Sequence, residues 1–224
     1  EQAKQDFQEQ DWQKRLKYMP RSSELDNSVW NEMVILNNDP DFRNFAYNEL
    51  ANRIQITGDV PWERPKDNKY WRDADTAQLK ALLDIRYQCF SSRNHDVSFT
   101  KIADDRRFHP IRDYLDGLPH WDTQTRTELL LIRYLKANDT PYVRAVTRKA
   151  IVAAVARTYR PGIKFDSMLV TDGAQGIGKS TLFKILAGEE FYSDTLSLTD
   201  MDDKSGAEKL QGFWIVEIGE LAGM

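Results

Sequence analysis

The segment from Phe165 to Ala187 combines an apolar run, a glycine-rich loop and a helical pattern. The loop reads Gly-x-x-x-x-Gly-Lys-Ser from Gly173 to Ser180, and Gly176 adds a further glycine inside it. Glycines allow the backbone to wrap and to direct successive N–H groups at one point, an arrangement that binds an anion at the start of a helix. The pattern therefore predicts a strand, a phosphate-binding loop and a helix, in that order.

Three residues that follow Gly178 suit the binding of a nucleotide. Lys179, a candidate catalytic residue, supplies a positive charge to the β and γ phosphates, and Ser180 offers a hydroxyl to Mg²⁺. Thr181 can present a further backbone N–H to the nucleotide. The alternative is a glycine-rich turn with a surface lysine. The preceding apolar run, and the following helix with its stop at Gly188, favour the nucleotide site.

A second apolar run, from Phe213 to Leu221, contains two glutamates. A buried strand rarely holds carboxylates without a partner, so Glu217 and Glu220 are candidates for the acidic residues of nucleotide hydrolysis. One would order the water shell of Mg²⁺, with Ser180 and Glu217 as the candidate metal ligands, and the other would polarise the attacking water; the division of these roles stays open. Because side chains alternate along a strand, a bend at Gly219 is needed to bring both to one site. Either could instead be a solvent-facing glutamate of an edge strand.

Composition narrows the class of protein. The 224 residues contain one cysteine, Cys89, which excludes an internal disulfide and with it a disulfide-stapled secreted module. No run of about 18 apolar residues occurs, so no transmembrane helix is expected, and the polar start lacks the pattern of a signal peptide. A cytoplasmic location is predicted. Because the sequence lacks an initiator Met, it is interpreted as a fragment.

The net charge of -4 hides an uneven distribution of charges. Residues 121–163 contain 8 Lys and Arg against 3 Asp and Glu, whereas residues 164–224 contain 5 against 11. The block 121–163 is therefore a basic island, which could contact the phosphate backbone of a nucleic acid locally. The alternative interpretation is the solvated face of a helix.

Periodicity predicts an α/β protein in which a mainly helical N-terminal region precedes a parallel sheet. The family resemblance described below implies that this sheet belongs to a truncated P-loop NTPase core. The predicted regions are a polar leader over 1–25, a mainly helical region over 26–120, a basic helical bracket over 121–163 and an incomplete core over 164–224. The leader is interpreted either as a mostly solvated helix or as a disordered segment. Predicted helices cover 28–36, 75–87, 98–106, 110–116, 128–136, 141–159, 182–187 and 200–212. Predicted strands cover 53–57, 165–170, 191–194 and 213–221.

Four stretches resemble one known family. They are His109 to Leu115 followed by Trp121-Asp122, Asp139 to Lys149, Lys164 to Thr181, and Trp214 to Leu221. This part of the chain resembles the virulence-associated protein E family, phage and genomic-island NTPases akin to superfamily III and poxvirus-type primase-helicases. The resemblance covers roughly residues 109 to 224, and more loosely the region from 29 to 62.

The resemblance implies an activity and a set of site residues. The residues implied to bind ATP, with Mg²⁺, are Gly173, Gly178, Lys179, Ser180 and Thr181, and the implied acidic motif is Glu217 and Glu220. The family implies a replication helicase whose ATP hydrolysis is stimulated by DNA, either single-stranded DNA or a replication origin. Such helicases act as homo-oligomeric rings in which a neighbouring subunit supplies an arginine to each ATP site. The sensor, the arginine finger and the remaining strands would follow Met224, so weak or absent turnover is expected from residues 1–224 alone.

Two other functions compete with the helicase-type ATPase. One is a nucleotide-regulated adaptor or interference protein that unwinds nothing and hydrolyses ATP at no useful rate. The other is a small-molecule kinase, which is the weakest because no acceptor-binding segment follows the loop and the glutamate pair suits the activation of water. Stimulation of ATP hydrolysis by DNA distinguishes the helicase-type ATPase from the adaptor.

Overall fold

The computed structural model describes residues 12–197, Gly206 and residues 209–219, which form helices and short strands. The chain divides into two compact units, with the division between Phe108 and His109. This division lies within the region 26–120 that the sequence predicts as one. We call residues up to Phe108 the first unit and residues from His109 onward the second unit.

Over residues 12–108, the first unit consists of three helices and one hairpin. Its elements are a 3-10 turn at Trp12–Arg15, α1 at Val29–Asn38, β1 at Phe45–Asn48, β2 at Arg53–Ile56, α2 at Asp73–Tyr87 and α3 at Ser92–Asp105. Helix α1 confirms the prediction over 28–36, and the Ser28 hydroxyl caps it by accepting from the Asn31 N–H. Helix α3 begins six residues before the predicted residue 98, because the Ser91 hydroxyl caps a new start there.

The predicted strand over 53–57 is confirmed as β2, and its partner precedes it in the chain. Strands β1 and β2 pair antiparallel, with Asn48 opposite Arg53. The Asn48 side chain accepts from the backbone N–H groups of Leu50 and Ala51, each at 3.0 Å, and so organises the turn between the strands. Gly58-Asp59, which has the composition of a turn, therefore follows the hairpin and does not form it.

Apolar side chains from the helices and the hairpin form one core in the first unit. Phe45 of β1 stacks on Phe99 of α3 with ring centroids 4.6 Å apart. Trp12 and Leu16 are buried in the same core. The interpretation of 1–25 as a solvated or disordered leader is therefore wrong at these two residues. Burial of their apolar side chains lowers the free energy of the folded state and so holds this polar segment against the core.

Two carboxylates are fully buried in the first unit, and each has a partner. Asp75 accepts from Trp62 Nε1, from the Arg64 guanidinium and from both the backbone and the guanidinium of Arg72. Burial alone would raise the pKa of Asp75, but the hydrogen bonds from Arg72, Arg64 and Trp62 outweigh it and hold that pKa well below its usual range. The Glu32 carboxylate lies 2.6 Å from Nδ1 of His95.

Among the described residues of the second unit are four helices and a parallel pair of strands. Its elements are α4 at Pro110–Asp116, α5 at Leu130–Leu135, α6 at Pro141–Tyr159, α7 at Lys179–Ala187, β3 at Tyr192–Leu196 and β4 at Ile215–Ile218, with 3-10 turns at Thr127–Leu129 and Glu189–Phe191. Helix α6 confirms its predicted bounds: the Thr140 hydroxyl accepts from the Val143 N–H, and Pro141 occupies the first helical position.

The sheet of the second unit pairs β3 with β4 in parallel, with Tyr192 opposite Ile215 and Ser193 opposite Val216. The parallel arrangement confirms that prediction. The strand predicted over 165–170 is wrong, since those residues lie in no strand of the structure. They form no ladder with any part of the chain that the structure describes, and Met168 and Val170 stay more than half exposed. An apolar run becomes a strand only where a neighbouring strand satisfies its backbone.

Helix α6 packs against residues 165–172, which we call the extended segment, and against the start of β4. Trp214 Nε1 donates to the Ala154 carbonyl at 3.2 Å, and the Arg157 guanidinium donates to the Phe165 carbonyl at 3.3 Å. The helix thus braces these elements. The helix predicted over 200–212 lies mostly outside the described residues. None of the described helices is both long and apolar enough to cross a lipid bilayer.

Candidate nucleotide site

The loop ahead of α7 is held in backbone conformations that favour glycine. Gly173, Gly176 and Gly178 have φ of 155°, 83° and 90°, and Gly178 is the N-cap residue of α7. A Cβ atom added at Gly176 or Gly178 would meet no other atom within 4 Å. The glycines at these two positions are therefore required by their left-handed conformation and not by lack of space.

Lys179, the first residue of α7, lies back across the loop. Its Nζ atom donates to the carbonyl of Gly173 at 2.7 Å and to that of Ala174 at 3.0 Å. The first N–H groups of any α-helix have no partner within the helix, so the start of α7 adds backbone donors beside this ammonium. The predicted loop residues thus gather positive charge and N–H donors, which is the chemistry that binds an anion.

Ser180 and Glu217 lie 37 positions apart in the sequence, and the structure brings them together. The Ser180 hydroxyl donates to Oε1 of Glu217 at 2.7 Å. Helix α7 carries the serine in its first turn, and β4 carries the partly buried glutamate. A hydroxyl oxygen and a carboxylate oxygen at this distance are ligands that suit Mg²⁺, either directly or through its water shell.

Two predicted site residues remain, Thr181 and Glu220. Thr181 lies in the first turn of α7 with an exposed side chain. Glu220 lies outside the described residues, so its predicted meeting with Glu217 stays a prediction. Within residues 12–197 and the other described positions, no three or more His, Cys, Asp or Glu side chains lie close enough together to hold a metal ion. A metal ion at the described residues would therefore depend on Ser180, Glu217 and a ligand that brings its own oxygens.

Tyr192 is a site residue that the sequence analysis missed. It opens β3, it is buried, and its phenol donates a hydrogen bond to Oε2 of Glu217. Burial raises the pKa of Tyr192, and the hydrogen bond to Glu217 and its negative charge raise it further, so the phenol stays protonated. A tyrosine at the start of a short strand gives no signal of this role, because the register of β3 on β4 decides which residues meet.

A cavity of about 690 Å³ adjoins the loop. Residues of α6, of the extended segment 165–172, of α7 and of β4 line it. Met168, Val170 and Trp214 contribute apolar surface to the cavity, whereas Lys179 and Glu217 contribute charge. Apolar walls with a few polar groups are typical of small-molecule sites.

The basic island of residues 121–163 is partly neutralised by its own acids. Arg126 pairs with Asp122, and Glu128 accepts from both Arg144 and Arg148. Besides Arg157, which donates to the Phe165 carbonyl, four exposed cations of the island form no ion pair with any residue in the described part of the chain. They are Arg133, Lys136, Lys149 and Arg160.

Two comparisons with known proteins bear on this site. A protein-family model described as the virulence-associated protein E-like domain matches residues 115–224. The match includes the loop, α7, β3 and β4. A search of curated protein sequences finds no match to the chain.

Proposed function

Residues 115–224 belong to the virulence-associated protein E-like domain family, and we propose that they carry the ATP-binding site of a phage or genomic-island DNA replication helicase-type ATPase. The observation that carries this proposal is the contact of 2.7 Å between Ser180 and Glu217, beside Lys179 at the start of α7. An anion-binding loop and a carboxylate on a neighbouring strand are the two parts that a P-loop NTPase core requires.

The loop residues suit ATP with Mg²⁺. Lys179 would leave the loop carbonyls and contact the β and γ phosphates, while the backbone N–H groups at the start of α7 hold them. Ser180 and Glu217 would hold the magnesium ion, which neutralises charge on the phosphates when bound. Gly173, Gly176 and Gly178 let the loop follow the phosphates closely.

Hydrolysis needs a carboxylate that orders the metal and one that polarises water. We assign the pair to Glu217 and Glu220 on the second apolar run, with the division of roles open between them. In this proposal a neighbouring subunit of a homo-oligomeric ring completes each ATP site with an arginine, and the protein works in the cytoplasm.

DNA is the proposed macromolecular partner. The four exposed cations Arg133, Lys136, Lys149 and Arg160 supply positive charge for a phosphate backbone. Tyr134 of α5 and Tyr142 of α6 are exposed beside them in sequence and offer faces on which unpaired bases can stack. These groups support single-stranded DNA, or the melted part of an origin, as the ligand.

The first test of this proposal is ATP affinity in the presence of Mg²⁺, with Lys179→Ala as the variant. We expect the Kd to rise about tenfold or more, because a charge-assisted contact to the phosphates is lost. Lys184→Ala is the matched control, since Lys184 lies in the same helix and pairs with the exposed Glu189. An unchanged Kd in Lys179→Ala would contradict the proposed site.

A second candidate function is the nucleotide-regulated adaptor that unwinds nothing. It is favoured by the state of Glu217, since protein hydroxyls already hold both of its oxygens. Steady ATP turnover, measured with and without single-stranded DNA, separates the two functions. Turnover that DNA stimulates and that Lys179→Ala abolishes supports the motor, whereas binding without stimulated turnover supports the adaptor.

A further inference from the structure

The carboxylate of Glu217 is shared between two hydroxyl donors on different elements. Ser180 of α7 donates to Oε1, and Tyr192 of β3 donates to Oε2. Tyr192 is 8% exposed, so its ring is fixed by packing while its hydroxyl reaches the carboxylate. Each oxygen of Glu217 therefore has its own partner, and the plane of the carboxylate is defined.

The register of the parallel strands explains this contact. Tyr192 lies opposite Ile215, and Glu217 follows Ile215 by two positions. Residues two apart in a strand share a face of the sheet, so Tyr192 and Glu217 are diagonal neighbours on one face. A phenol is long enough to span that diagonal. The contact follows from the backbone pairing and does not require a ligand.

We infer that Tyr192 is a positioning residue of the nucleotide site, which holds Glu217 with one carboxylate oxygen directed at Ser180 and so at the bound magnesium ion. This inference rests on the proposed function. A glutamate side chain has several rotatable bonds, and ordering them on ligand binding opposes binding. A carboxylate that the protein has already ordered avoids that loss.

The role of Tyr192 is confined to the metal side of the site. The Nζ atom of Lys179 donates its hydrogen bonds to the loop carbonyls of Gly173 and Ala174, whereas Tyr192 donates to Glu217. The loop and the start of α7 would therefore bind the phosphates equally well with or without the phenol hydroxyl. The part of the nucleotide affinity that depends on Mg²⁺ should respond to Tyr192, and the part that does not should remain.

The test compares ATP affinity in Mg²⁺ with ATP affinity in EDTA for the wild type and for Tyr192→Phe. We expect the substitution to raise the Kd in Mg²⁺ about threefold to tenfold and to leave the Kd in EDTA unchanged. Tyr159→Phe is the matched control, because Tyr159 also donates to a carboxylate, Asp116, within the same unit. That control should change neither Kd.

A second variant separates positioning from a change in fold. In a Glu217→Gln background, Tyr192→Phe should add no further loss in Mg²⁺, since both act through the same carboxylate. An unchanged Kd for Tyr192→Phe in Mg²⁺, or equal losses in Mg²⁺ and in EDTA, would overturn the inference. A wild-type chain that binds no ATP in either buffer would overturn the proposed function as well, so the two failures are distinguishable.

Discussion

Asp75 in the first unit and Glu217 in the second are both carboxylates held by side-chain donors, but the donors differ in kind. Asp75 is fully buried and accepts from two guanidinium groups and an indole. Glu217 is partly buried and accepts from two neutral hydroxyls. Charged donors around a buried carboxylate stabilise the folded state. Neutral hydroxyl donors bind a carboxylate more weakly, so its oxygens stay available to coordinate a cation.

The surroundings of the two carboxylates also differ, in how far their apolar side chains are buried. Large apolar side chains of the first unit, among them Phe42, Leu79 and Ile102, are almost fully buried. In the second unit Met168 and Val170 are more than half exposed, next to a cavity that Glu217 also lines. The buried carboxylates of the first unit complete a closed core, whereas Glu217 in the second unit lies beside an open cavity.

The largest loss of stability is expected from a substitution of Asp75. Asp75→Asn should lower the free energy of unfolding by about 3–5 kcal/mol, because two buried or partly buried guanidinium groups lose their counter-charge. The folded state depresses the pKa of Asp75, so its contribution is present above the ordinary carboxyl pKa and is lost as the pH falls below about 4. Urea titrations of the wild type and the variant at a series of pH values measure both effects.

The variant should show a smaller loss of stability with acid than the wild type does. Asp104→Asn is the matched control, since that carboxylate is mostly exposed and pairs only with the exposed Arg107. Equal stability of Asp75→Asn and Asp104→Asn would mean that the buried network contributes nothing beyond a surface pair.

The pair of Glu32 and His95 provides a test of intermediate size. Glu32→Leu should lower the free energy of unfolding by about 1–3 kcal/mol, because Nδ1 of the buried His95 loses its partner. The double variant Glu32→Leu with His95→Leu should recover part of that loss. A double-mutant cycle by urea denaturation gives the coupling, and strictly additive losses would contradict a contact between the two residues.

The smallest effect on stability is expected at Glu217. Glu217→Gln should change the free energy of unfolding by less than about 1 kcal/mol, since neutral hydroxyls can bond an amide as well as a carboxylate. The same variant should remove the dependence of ATP binding on Mg²⁺. Urea denaturation and ATP binding on one preparation measure the two together. A loss of stability as large as that of Asp75→Asn would erase the contrast between the two units.

Local signals explain most of what the sequence predicted. Ser28, Thr140 with Pro141, and Gly178 each mark the start of a helix that the structure contains, because a cap acts within one turn. Ser180 and Glu217 were also predicted as partners, since both belong to short patterns whose chemistry implies a common metal ion.

Non-local pairing explains what the sequence did not predict. The run 165–170 has the composition of a strand, but whether it joins a sheet depends on a neighbour elsewhere in the chain. The partner of β2 precedes it because the Asn48 side chain organises a turn that no local pattern shows. Tyr192 reaches Glu217 through the register of two strands, which sequence periodicity leaves undetermined.

That register also has an evolutionary consequence. Positions 192 and 217 meet as diagonal neighbours on one face of the sheet, so we expect selection to act on them as a pair. A lineage that replaces the tyrosine with a residue lacking a hydroxyl would leave the glutamate one donor short, and we expect compensating change at 217 or beside it. Paired substitutions at these two positions across the family would then record the contact in sequence alone.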